Sequence, residues 1–75
     1  MSIITEIELE KALKLYSETR NYQYGSIRYR AAKNRYDHYV SSLAEKYNCQ
    51  VSYVNSRVIT ERRRRKAIAK LRGEI

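Results

Sequence analysis

Seventy-five residues make one small domain, and a chain of that length buries only about 60–65% of the surface its unfolded form exposes, so a second copy or a bound polyanion would add useful stability. One Cys excludes an internal disulfide. No apolar run approaches the roughly 18–20 residues that span a bilayer, nothing at the start reads as a secretory signal, and the net charge of +8 points to a cytoplasmic or nucleoid-associated protein.

With no Pro and only Gly25 and Gly73, the chain has almost no punctuation, and its apolar residues recur at three and four. The expectation is an all-α fold, a small three-helix domain with a basic C-terminal helical extension. The first helix is predicted over 5–19: Thr5-Glu6-Ile7-Glu8 has capping-box spacing, and early glutamates suit the positive end of the helix dipole. It carries Ile7, Leu9, Ala12, Leu13, Leu15 and Tyr16. Together with Ile3 and Ile4, Ile7 is the expected anchor of a homodimer formed through this helix.

Residues 21–26 read as a loop, with Gly25 free to take positive φ and Ser26 placed to cap the next helix. That second helix is predicted over 27–47, its inner stripe formed by Ala32, Tyr36, Tyr39, Val40, Leu43 and Tyr47. Asn48 tolerates a left-handed backbone and is the expected stop. The third helix is predicted over 50–72. Its apolar face, Val51, Val54 and Val58, gives out near Ile59, and the run Glu61-Arg62-Arg63-Arg64-Arg65-Lys66 looks cationic on every side, so the basic extension is expected from about residue 60 as a solvated projection.

Charge is unevenly divided. Residues 1–19 hold four Glu against two Lys, whereas residues 20–75 hold fourteen Lys and Arg against four acidic residues. Consecutive cations repel one another unless a polyanion neutralises them, which makes nucleic acid the expected partner.

The stretch Leu43-Ala44-Glu45-Lys46-Tyr47-Asn48-Cys49-Gln50-Val51-Ser52-Tyr53-Val54-Asn55-Ser56-Arg57-Val58 resembles the helix-turn-helix of DNA-binding proteins, and the resemblance covers residues 40–59. Ala44 is small where two helices would cross, Asn48 stands at the turn where the family usually has Gly, and Leu43, Tyr47, Cys49, Val54 and Val58 supply the flanking apolar anchors. Arg57 departs from the pattern, the apolar Val58 coming one place later. The resemblance implies that the helix starting near Gln50 enters the major groove, with Gln50, Ser52, Tyr53, Asn55 and Ser56 against base edges. Arg28, Arg30, Arg57, Arg62, Arg63, Arg64, Arg65 and Lys66 would hold phosphates. Duplex DNA is favoured over RNA, with a regulatory or phage-type accessory role. The alternatives are an RNA-binding arginine-rich protein and an inhibitor that occupies another protein's nucleic-acid groove.

Tyr22 and Tyr24, with Tyr29, Arg28 and Arg30 just after them, are read as a lid on the core or a dimer contact in preference to a stacking platform for unpaired bases. His38 and Cys49 are the only residues of their kinds, too few for a closed zinc site, which needs four ligands. No nucleophile, base and orienting group come together, so neither a cofactor nor an enzymatic activity is expected.

Overall fold

The computed structural model describes residues 4–73, and within them the fold is three α-helices: α1 (Glu6–Thr19), α2 (Ile27–Lys46) and α3 (Val51–Leu71). Three of the boundaries have a local cause in the sequence. The capping box of α1 forms in full, the Thr5 hydroxyl accepting from the Glu8 backbone N–H at 3.2 Å while the Glu8 carboxylate accepts from the Thr5 N–H at 3.1 Å. Gly25, at φ 84°, turns the chain toward α2, and the Ser26 hydroxyl caps that helix by accepting from the Tyr29 N–H at 3.1 Å.

Asn48 ends α2 at φ 51°, in the left-handed region. The Cys49 N–H then donates to the Ala44 carbonyl at 2.9 Å and the Asn48 N–H to the Glu45 carbonyl at 3.3 Å. This is a complete Schellman motif with Asn in the place Gly usually takes. It satisfies the last carbonyls of α2 and redirects the backbone into α3 within four residues. Gln50 is the N-cap of α3 and makes no side-chain cap bond; its carbonyl accepts from the Tyr53 and Val54 N–H groups at 3.0 and 3.3 Å.

Helices α1 and α2 run antiparallel. Glu8 of α1 meets Lys46 and Tyr47 at the end of α2, Tyr16 packs edge-on against Tyr36 with ring centroids 5.5 Å apart, and Glu18 reaches Arg35 near 3.9 Å. The third helix lies across the pair, starting on α2 at Asn55 and Tyr36 and finishing on α1, where Arg62 covers Tyr16 and Arg65 meets Glu10. The core between them is small: Ile4, Leu9, Ala12, Tyr36, Val40, Leu43, Ala44, Val54 and Val58 are buried, with Leu13, Leu15, Tyr16, Tyr39, Tyr47 and Cys49 packed on it. Val40, Val54 and Val58 are its largest fully enclosed side chains, each contributing roughly 1.5–3 kcal/mol.

Two expectations are corrected. Packing does not stop at Ile59, because Glu61 is only 6% exposed, and Arg62, Arg65, Ile68 and Ala69 are half-buried. The basic segment is therefore asymmetric, with one side laid on α1. Ile4 is buried in the chain's own core, at 5% exposure, so it is not free to anchor a second copy; Ile7 is 82% exposed, and Ile3 lies outside the described residues.

Candidate nucleic-acid interface

The outer face of α3 is a stripe set by helical spacing. Ser52, Ser56, Thr60, Arg63, Ala67 and Lys70 succeed one another at intervals of three or four residues, and all are exposed. Its first half is polar and uncharged, joined by the exposed Gln50, Val51 and Tyr53. Its second half is cationic. The acidic residue of this helix, Glu61, is buried away from that stripe, bonded to Arg65, which in turn meets Glu10 of α1.

Glu61 explains how the arginine run divides. Its carboxylate accepts from Arg64 at 2.7 and 3.0 Å and from Arg65 at 3.0 Å. These bonds outweigh burial and hold its pKa at about 2. Arg65 also pairs with Glu10 and lies 3.9 Å from Glu6, and the Arg62 guanidinium sits 5.5 Å from the centre of the Tyr16 ring. Arg64 and Arg65 are thus largely neutralised by the fold, and Arg62 is held against an aromatic face. Arg57, Arg63, Lys66 and Lys70 form no ion pair among the described residues; all but the half-buried Arg57 are exposed.

Among the residues expected at base edges, Gln50, Ser52, Tyr53 and Ser56 are exposed on one end of α3. The Ser52 hydroxyl donates to the Gln50 side-chain carbonyl at 3.3 Å, linking the first two. Asn55 is different. Half-buried, it accepts a hydrogen bond from the Tyr36 hydroxyl across the α2–α3 contact. Arg28 and Arg30 are exposed on the first turn of α2 and likewise form no ion pair among the described residues. Sequence reasoning missed Lys70, which the three-and-four spacing from Arg63 could have found.

A second concavity lies where the α1–α2 loop meets the helices. Five tyrosines line it, Tyr16, Tyr22, Tyr24, Tyr29 and Tyr36, in a cleft of about 430 Å³. Arg20 and Lys33 stand among them, and no carboxylate does.

No protein-family model, curated protein or solved structure matches the chain. The chemistry of its surfaces is the evidence for its role.

Among the described residues, no group of three or more His, Cys, Asp or Glu side chains is placed to hold a metal ion. No helix among them is long and apolar enough to cross a membrane. The lowered pKa of Glu8 has a structural origin: burial raises it, but hydrogen bonds from Lys46, Tyr47 and Thr5 overcome that and bring it to about 2. Glu8 joins α1 to the end of α2, immediately before the turn into α3.

Proposed function

We propose that the protein binds duplex DNA, with α2, the 47–50 turn and α3 acting as a helix-turn-helix and α3 lying in the major groove. The observation that carries this reading is the sorting of charge on α3: its acidic group turns inward, and Arg63, Lys66 and Lys70 remain open to solvent without an anion among the described residues. A helix of 21 residues is about 31 Å long, close to one turn of B-DNA, so its polar and cationic halves can serve different contacts at once.

In this reading Gln50, Ser52, Tyr53 and Ser56 face base edges, because they are exposed at the end of α3 that also lacks a side-chain cap. Arg63, Lys66 and Lys70 hold phosphates, with Arg57, Arg28 and Arg30 as additional contacts. Asn55 acts indirectly by fixing α3 on α2 through Tyr36.

The test is a salt titration of binding to random-sequence duplex. A triple variant, Arg63→Ala with Lys66→Ala and Lys70→Ala, should flatten the dependence of log affinity on log salt by about one unit for each phosphate-binding cation removed. Gln50→Ala with Ser56→Ala should change the preferred sequence in a selected pool and leave the slope alone. Undetectable duplex binding near ~100 mM salt, where about 10⁻⁴–10⁻⁶ M is ordinary even for non-specific binding, overturns the reading.

A further inference from the structure

The tyrosine cleft is independent of the α3 stripe and has a different chemistry. Tyr24 is 85% exposed at the tip of the α1–α2 loop, beside Gly25, whose positive φ fixes the turn. It therefore does not lid the core, the first of the two roles expected for it from sequence. Its ring lies 5.0 Å from that of Tyr29 at a tilt of 47°, leaving the rings splayed rather than closed on each other. Tyr16 and Tyr36 form the inner wall, and the Tyr36 hydroxyl is already committed to Asn55.

Three properties narrow the ligand. The volume, about 430 Å³, falls within the roughly 300–1,000 Å³ range of small-ligand sites. The walls offer aromatic faces, which take a flat π-system. The charged groups are Arg20, which forms no ion pair among the described residues, and Lys33, held at 2.9 Å by Asp37 in an exposed pair that a stronger anion could displace. A cationic guest such as a quaternary ammonium would be repelled by these two groups. An aromatic group carrying an anion would be drawn in.

We propose that this cleft takes an unpaired nucleobase of a single-stranded nucleic acid, stacked against Tyr24 and Tyr29, with Arg20 on the adjoining phosphate. Asn55 and Ile59 of α3 also border the cleft, so a strand seated there would run beside the α3 stripe. This site rests on different side chains from the duplex reading and stands or falls separately.

The experiment compares fluorescein-labelled octathymidylate with an octamer of the same phosphates and no bases, at equal salt, by anisotropy. Base–aromatic stacking of about 1–3 kcal/mol per base corresponds to about 5- to 150-fold, so the thymidylate should bind at least about fivefold tighter. Tyr24→Ala should abolish that difference and Tyr24→Phe should retain it; Tyr24 is so exposed that neither change should disturb the circular dichroism spectrum. The Arg63, Lys66 and Lys70 triple alanine variant should lose affinity for both octamers equally and keep the difference between them. Equal binding of the two octamers, or a difference that survives Tyr24→Ala, overturns the site. A retained difference together with absent duplex binding upholds the cleft while removing the duplex reading.

Discussion

The Tyr36 hydroxyl donates to the Asn55 side-chain oxygen, joining the middle of α2 to the start of α3 across nineteen residues of sequence. Tyr36 is 3% exposed, and burial, with smaller contributions from Tyr16 and Asp37, pushes its pKa up to about 12. The hydroxyl therefore stays protonated and remains a donor throughout the physiological range. Asn55→Ala removes the acceptor and leaves a buried hydroxyl without a partner, which should cost about 1–3 kcal/mol in urea-induced unfolding. Tyr36→Phe removes the donor and leaves a half-buried carboxamide that water reaches, and should cost about 1 kcal/mol. An Asn55→Ala protein that unfolds at the native urea midpoint would show that the bond contributes nothing net.

Asn48 occupies the left-handed region at φ 51° while completing the Schellman motif that ends α2. A β-branched residue at this position is strained, and Asn48→Val should cost about 1–2 kcal/mol. Asn48→Gly removes the steric cost but loosens the unfolded chain, so the two effects oppose and the change should lie within about 0.5 kcal/mol of neutral. Thermal unfolding of the three proteins gives the order directly. If Asn48→Val is as stable as the native chain, the turn has rearranged and the left-handed residue does not set the path from α2 into α3.

These two sites mark what a sequence discloses and what it withholds. Thr5 and Glu8, Ser26, and Asn48 act within a few residues of themselves, so spacing alone revealed the caps and the turn. Asn55 and Glu61 looked like surface residues because what buries them depends on remote contacts: Asn55 bonds Tyr36 on α2, and Glu61, though its own partners Arg64 and Arg65 are local, lies beside arginines that meet Tyr16 and Glu10 of α1. Ile4 misled for the same reason, since nothing local says that an apolar residue ahead of a helix folds back onto the core. The tyrosine cleft was half legible. Tyr22, Tyr24 and Tyr29 stood together in the loop, but Tyr16 and Tyr36 joined them only through the antiparallel packing of α1 on α2.

Acid should unfold the protein over a defined window. Glu8 and Glu61 are both held at about 2 in the folded state, below the ordinary value of 4.5. A lowered folded pKa means that the stabilisation is complete above about 4.5 and is lost as pH falls toward 2. Each carboxylate should contribute on the order of 1–2 kcal/mol at neutral pH once solvent screening is allowed for. Urea midpoints measured from pH 6 to pH 2.5 should fall steeply below about pH 4.5, and the combined variant Glu8→Gln with Glu61→Gln should be less stable at pH 6 and flatter below it. A double variant with the native pH profile would place the acid sensitivity elsewhere.

Glu61 also sets a balance between stability and binding. Its carboxylate holds Arg64 and Arg65, and Arg65 has Glu10 as a second acidic partner. Glu61→Gln therefore releases mainly Arg64, whose side chain is 58% exposed, while Arg65 stays tethered to α1. The same substitution removes one negative charge from α3. Stability should fall by about 1–2 kcal/mol as the charge-assisted bonds disappear. Duplex affinity should rise, and the salt slope should steepen by about one unit as a further cation becomes available to phosphate. Glu61→Gln with Arg64→Ala should return the slope to its native value without restoring stability. If Glu61→Gln weakens duplex binding at a temperature where circular dichroism shows it folded, then the anchoring of α3 on α1 matters more to the interface than the cation it releases.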